Sequence, residues 1–497
     1  MPLRLLLSSF FCLSLLTCEI DRDFVTGEAV QLRFELDTLS FDTVFTARGS
    51  ATQLFKVYND AADPVKIDRI TVAGMTGVDF TFNVDGTMGP EARDVVIWGK
   101  DSIFVFVEAE VDPTEPEEVS PFIAEDRLVF ETGNVEESVV LQAFGQNANY
   151  INGFNRGQFF APICQGGNFT LPVELPTVIY GSMIVDSCTV RALAGTRIYF
   201  HGGLQKNDAV GGSGAFNDGF IFTGSAGRLE LLGTAEAPVI LLTDRLEENF
   251  ADSRGAYRGL IFGPESRGNR LEYTEIRNAI IGITADSLAE VTLDNTIIAN
   301  SSGPAISTYQ AEVTARNSLF YSNFGNTIQY LKGGNLRLEH CTLANYGVDA
   351  AALALANFNC DENGENCLAA VMSATVRNSI IAGSRNSELL LLDGFEGSED
   401  GAFQISITNS VVRTDEEFLR SSGGIFADFY GTDCQDCYNL QPRDPLFLDR
   451  SDDYRLDSLS VARNLGRYLP QLPTDLAGNQ RDTDTPDAGA LEWQPGQ

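Results

Sequence analysis

The stretch VTLDNTII, beginning at Val291, returns as VTARNSLF from Val313, LRLEHCTL from Leu336, ATVRNSII from Ala374 and ISITNSVV from Ile405. A weaker copy ending LEYTEI covers Leu271 to Ile276. Anchored on the fifth residue, the column reads Tyr273, Asn295, Asn317, His340, Asn378 and Asn409, at intervals of 22, 22, 23, 38 and 31 residues. A period near 22 without helical spacing marks a β-solenoid, in which each copy is one coil and neighbouring coils bury each other. Two residues before the anchor stand Leu271, Leu293, Ala315, Leu338, Val376 and Ile407, an apolar stack with the two-residue alternation of strands. The residue before the anchor is Glu272, Asp294, Arg316, Glu339, Arg377 or Thr408. Its charge alternates from Asp294 to Arg377, which favours this register by roughly 0.2–1 kcal/mol per opposed pair. After the anchor comes a small residue: Thr274, Thr296, Ser318, Cys341, Ser379 or Ser410. Asn295, Asn317, Asn378 and Asn409 are expected to form an amide ladder up the stack, at the roughly 4.8 Å strand spacing.

Outward from the repeats, the 497 residues carry 34 Lys+Arg against 69 Asp+Glu, a net charge of −35. Such a surface excludes nucleic acid as a partner and excludes charge-driven binding to anionic lipid. A soluble, self-repelling monomer is expected. Residues 24–149 read as seven or so short alternating strands divided by turn signals, a β-sandwich. The segment 150–443 reads as the solenoid. Two insertions interrupt it, NFNCDENGENC at Asn357–Cys367 and LLLLDGFEGSEDG at Leu389–Gly401, and both are expected as loops. The polar, turn-rich 444–497 is expected to cap the open final coil, whose strand edges need cover.

The first residues form an export signal: Arg4 is the only charge before Glu19, and Leu5 to Leu16 is apolar but too short to span a bilayer. LLTC at Leu15–Cys18 resembles the lipobox of bacterial lipoproteins, with Thr17 where that family has Gly, Ala or Ser. The resemblance implies a signal peptide over 1–17, lipidation of Cys18, a short tether over 18–23, and anchorage to the outer membrane. Glu19, Asp21 and Asp23 resemble the surface-export signal of some Gram-negative lipoproteins. Ordinary secretion with cleavage nearby is the alternative.

FDTVFTARGSATQLFKVYN from Phe41, DSIFVFVEAEVDP from Asp101 and VVLQAFGQNA from Val139 resemble the Ig-like modules of bacterial surface lipoproteins. GRLELLGTAEAPVILLTD from Gly227 and YRGLIFGPESRGNRLEYTEIRNA from Tyr257 resemble the opening coils of right-handed parallel β-helices of the pectate-lyase-like superfamily. The expected architecture is therefore all-β: an Ig-like sandwich, a right-handed parallel β-helix and a C-terminal cap. That scaffold hosts lyases, hydrolases, adhesins and spacers alike, so the resemblance implies a fold and leaves function open.

Nine Cys are present. Apart from Cys12, lost with the signal, and Cys18, the residue to be lipidated, Cys360/Cys367 and Cys434/Cys437 are local disulfide candidates and Cys164/Cys188 a distant one. Cys341 remains as a small buried residue. CQDC at Cys434–Cys437 lacks the second ligand pair of a zinc site. Asp361, Glu362 and Glu365 could hold calcium, but their spacing is not that of an EF-hand, and a solvated, disulfide-pinned loop is the simpler reading. No other cofactor is implied. The two histidines, His201 and His340, sit at a strand end and in the Asn column, and read as structural. Lys332 is the one weak candidate for a catalytic base. With no catalytic constellation visible, the expected function is a rigid non-catalytic scaffold displaying a glycan- or protein-binding face. The alternative is a polysaccharide lyase or glycoside hydrolase, which would place a groove along one sheet, rimmed by the insertions.

Overall fold

A computed structural model describes residues 24–496, apart from 26–29, 46–49, 51, 75–77, 112–121, 154–161, 207–214, 247–249, 362, 365, 396–400, 422–425 and 427. The leader, Cys18 and the acidic residues after it lie outside the described residues. The chain divides after Asn147 into two compact units.

The first unit is a sandwich of two five-stranded sheets. One runs Leu32–Phe34, Gln53–Asn59, Asp101–Val111, Val78–Val84, Thr87–Met88; the other runs Thr38–Phe45, Val135–Gln146, Phe122–Thr132, Val65–Val72, Glu91–Ile97. Alternate residues of both, among them Phe41, Phe55, Ile67, Phe82, Val107, Phe130 and Leu141, form one core.

The second unit is a parallel β-helix of three sheets with eleven, ten and eight strands. One coil shows the path. Glu290–Asp294 lies in the ten-stranded sheet, Ile297–Ala299 in the eleven-stranded sheet and Ile306–Thr308 in the eight-stranded sheet. Ala311–Arg316 then re-enters the ten-stranded sheet, paired in parallel with the coil before. The register read from the sequence is the register adopted: Leu271, Leu293, Ala315, Leu338, Val376 and Ile407 pair in succession, and all are fully buried. Each Leu, Ile or Val of the stack contributes about 1.5–3 kcal/mol by leaving water.

Every anchor residue turns the corner between the ten- and eleven-stranded sheets with positive φ, from 41° at Tyr273 to 54° at Asn295. Asn tolerates this left-handed conformation better than most residues, so the column is Asn-rich for a backbone reason. The coil-to-coil side-chain ladder lies one residue further on. Thr296, Cys341 and Ser379 donate their backbone N–H to the hydroxyls of Ser318, Ser379 and Ser410 at 3.2, 3.0 and 3.0 Å. Those three hydroxyls in turn donate to the carbonyls of Arg316, Arg377 and Thr408. The expected Asn amide ladder is thus corrected to a hydroxyl ladder, because Asn295, Asn317 and Asn378 spend their amide N–H groups on backbone carbonyls of the tail.

The tail also departs from expectation. The far end of the core is closed from within by Leu419, Phe426 and Phe429, near the short helices Glu416–Ser421 and Phe429–Thr432. Residues 444–496 instead run along the outer face of the eleven-stranded sheet. That face is apolar, and Leu319, Ala344, Ile380 and Val411 pack there against Leu446, Phe447, Leu456, Ala488 and Ala490. The approach is close enough that a Cβ at Gly489 would meet Ile380 Cδ1 at 2.6 Å, and its φ is 102°, so only glycine fits.

Candidate functional site

Two rims bound the outer face of the ten-stranded sheet. Along the corner with the eleven-stranded sheet runs the tail, held by the Asn column. Asn295 Nδ2 donates to Asp475 O at 3.3 Å, Asn317 Nδ2 to Thr474 O at 2.9 Å, and Asn378 Nδ2 to Arg467 O at 2.7 Å. Arg481, wholly buried, reaches Asn317 Oδ1 at 3.0 Å and Glu492 at 3.1 Å. His340 is buried beside it, and its Nε2 meets Asn378 Nδ2 at 2.8 Å. Burial and then the Arg481 charge hold the imidazole well below its ordinary pKa.

Along the other corner both insertions leave the solenoid on adjacent coils. The first follows Leu353–Ala356 and contains the hairpin Phe358–Asn359/Leu368–Ala369, bridged by Cys360–Cys367. Leu389–Leu392, expected within the second insertion, is a regular coil strand paired with Leu353–Ala356, so the insertion begins at Asp393. The two touch where Gly394 N donates to Asn357 Oδ1 at 2.7 Å.

Beside the tail, on the outer face of the ten-stranded sheet, lies a groove of three adjoining depressions of about 300, 520 and 350 Å³, joined through Arg337 and Arg377. Its floor is the charged column, and the tail residues Arg467–Leu469 and Gln471–Leu472 form one wall. Arg316 Nη1 holds Asp294 at 3.0 Å, and its Nε lies 3.4 Å from Glu339. Arg337 approaches Glu339 at 3.2 Å and Arg377 at 4.0 Å. Glu339 is only 2% exposed, a carboxylate surrounded by three guanidinium groups. Glu272 faces Asp294 directly on the next coil, so their strands are about 4.8 Å apart. Both carboxylates line the groove.

The other residues singled out in the sequence lie elsewhere. Lys332 follows an eight-stranded-sheet strand, with Nζ 5.0 Å from the Tyr309 ring centroid, and does not line the groove. Asp361 accepts from Asn363 N and Asn366 Nδ2 within its own loop, while Glu362 and Glu365 lie outside the described residues. Among the described residues, no three His, Cys, Asp or Glu side chains converge as a metal site. Disulfides join Cys164 to Cys188 and Cys434 to Cys437 as well, and Cys341 is free and buried. Sequence reasoning missed the groove's tail wall. It could have found the floor, because a charged column that never turns apolar along six coils is a face left open to water.

A parallel β-helix carrying a polar groove along one sheet is the class that fold and site define. No protein-family model matches the chain, and no curated protein does. Among solved structures, the catalytic unit of a thermostable GH87 α-1,3-glucanase from Streptomyces thermodiastaticus is 11% identical at TM-score 0.21, over 72% of this chain and 73% of that one. The catalytic domain of a GH87 α-1,3-glucanase in complex with nigerose is 10% identical at TM-score 0.17, over 72% and 91%. A family 123 glycoside hydrolase from Clostridium perfringens is 7% identical at TM-score 0.16, over 39% of this chain and 44% of that one, so the chain spans less than half its length. These neighbours are glycoside hydrolases. The expectation of a non-catalytic display scaffold, with a long side free of a deep cleft, is corrected on the site itself: a groove lined by Glu272, Asp294 and Glu339 runs along the ten-stranded sheet. At these scores no residue role is carried over from the neighbours.

Proposed function

We propose that the chain is a carbohydrate-active enzyme of glycoside hydrolase type, acting on a glycan laid along the groove of the ten-stranded sheet. The observation that carries this reading is the pair Glu272 and Asp294, facing each other on adjacent coils inside that groove. A separation of one ladder step, about 5 Å, suits the carboxylates of a retaining glycosidase. In this reading Asp294, oriented by Arg316, attacks the anomeric carbon, and Glu272 protonates the departing glycosidic oxygen. Water then releases the sugar from Asp294, giving its proton back to Glu272. The Ig-like sandwich, the right-handed coil and a lipid anchor at Cys18 on the outer membrane complete the proposal: an exported, monomeric enzyme meeting polysaccharide at the cell surface.

The test is a screen of the purified protein against neutral and acidic polysaccharides, following new reducing ends and unsaturated sugars. New reducing ends without unsaturation are expected, with E272Q and D294N each reducing the rate at least about 100-fold. Unsaturated products would make it a lyase. Full activity in both variants, or release from no substrate, overturns the reading.

A further inference from the structure

The groove has two ends of different charge, although the chain as a whole carries −35. On its earlier coils the outward positions of the ten-stranded sheet hold Glu272, Glu290, Asp294 and Glu312. On the strands Met372–Arg377 and Phe403–Thr408 the outward residues are Ser373, Thr375, Arg377, Gln404, Ser406 and Thr408, with no carboxylate.

The guanidinium groups are shared out unevenly as well. At the carboxylate pair each acid has its own arginine: Glu272 takes Arg270 and Asp294 takes Arg316. Further along, Arg337 Nε and one terminal nitrogen of Arg377 approach a single oxygen of Glu339, at 3.2 and 4.0 Å, and Arg316 reaches its other oxygen at 3.4 Å. Among the described residues, Arg337 and Arg377 form no other ion pair. Glu339 is buried, whereas the side chains of Arg337 and Arg377 stay 49% and 44% exposed and line the same depression of about 300 Å³. Most of their N–H donors are therefore left for a ligand. Thr375 pairs with Arg337 across the ladder and precedes Arg377 by two residues, so its hydroxyl shares their face. Glu312 lines this depression too, but at the opposite corner: it pairs with Asn335, which pairs with Ser373, four residues before Arg377.

We propose that Arg337, Thr375 and Arg377 form an anion subsite of the groove, which takes the carboxylate of a uronate or a sulfate ester of the glycan. A guanidinium fork matches either group with paired hydrogen bonds. The inference rests on the hydrolase reading for a glycan laid along the groove, and it adds where the charge of that glycan lies. The coils of Arg337 and Arg377 stand two and three ladder steps from Asp294, about 10 and 14 Å. Rings over Glu272 and Asp294 meet acids whose arginines are already engaged, so like charge disfavours an anionic ring there. The substrate class is then a mixed glycan, neutral at the bond cleaved and anionic about two or three rings away. A polyuronate, charged on every ring, fits one end of the groove and not the other.

Isothermal titration calorimetry of the full chain carrying E272Q, which halts turnover, tests the subsite. The probes are glucuronoxylan oligosaccharides, whose uronates are sparse, sulfated galactan oligosaccharides, the neutral counterpart of each, and oligogalacturonates. One charged probe, uronate or sulfate, is expected to bind at least about tenfold tighter than its neutral counterpart, and R377Q is expected to bring that ratio close to one. Affinity for the charged probe should fall with added sodium chloride, and less steeply in R377Q. Arg377 is the most distant of the three groups around Glu339, and if R377Q does not fold, the affinity ratio and the salt dependence of the E272Q protein decide. Equal binding of charged and neutral probes, equal loss of both in R377Q, indifference to salt, preference for oligogalacturonates, or no binding of a charged probe overturns the subsite. Hydrolysis by the wild-type protein is read separately. Cleavage of neutral glycans at full rate in R377Q removes the subsite alone, whereas binding that depends on Arg377 without any cleavage removes the hydrolase reading alone.

Discussion

Asn378 and Arg467, 89 residues apart in the chain, clamp each other through two hydrogen bonds. Asn378 Nδ2 donates to Arg467 O at 2.7 Å, and Arg467 N donates to Asn378 Oδ1 at 2.9 Å. Asn378 also turns its corner at φ 51°. One residue thus bends the coil and docks the segment that walls the groove.

Glycine at 378 keeps the bend and removes the clamp. N378G is expected to lower stability by about 1–3 kcal/mol in urea unfolding, and N378A to lose roughly 1–2 kcal/mol more through the left-handed backbone. Limited proteolysis should cut the tail near Arg467 faster in both. Equal protection of the tail would mean that the apolar contacts of Phe447 and Leu456 suffice to dock it.

Acid should loosen the same junction through His340. Its folded pKa lies below the unfolded value of about 6.5, so the unfolded chain takes up the proton first. The stability it contributes is complete above about pH 6.5 and is lost as pH falls below that, by up to about 1.4 kcal/mol per unit. Glu388 acts oppositely: burial holds its carboxyl up to about 7, so falling pH relieves a cost. The difference between wild type and H340N isolates the histidine, and Asn suits the column. From pH 7.5 to 5 the melting temperature of the wild type should fall relative to that of H340N, and parallel curves would remove His340 from the account.

Cys341 occupies a place in the hydroxyl ladder. Burial pushes its thiol up to about 12, and the thiol meets Ala315 O at 3.3 Å. A thiol-specific reagent at pH 8 should label it only on unfolding. C341S should change stability by less than about 1 kcal/mol, because serine fills the same column on neighbouring coils. S379A leaves the Cys341 N–H without its acceptor and should cost about 1–3 kcal/mol in chemical denaturation. Rapid labelling of the folded protein would contradict this placement.

How much could be read from the chain follows from the range of the interactions. Leu293, Ala315 and Leu338 announce their own stacking, because a coil pairs with a near copy of itself some 22 residues on, and strand alternation is local. The Asn column was equally legible, but its role was not. Asn295, Asn317 and Asn378 bind backbone carbonyls that lie 180, 157 and 89 residues further along. A carbonyl is the same on every residue and leaves no mark in sequence.

The sequence by itself determined the coils, their register and which side of each strand faces inward, since period and polarity repeat along the chain. Only the tertiary structure decided that the tail lies on the apolar outer face of the eleven-stranded sheet instead of over the final coil. It also decided that the tail thereby walls a groove over Glu272, Asp294 and Glu339. Both depend on surfaces that exist only once the coils are stacked, and their partners are chosen by shape and buried area rather than by any repeat.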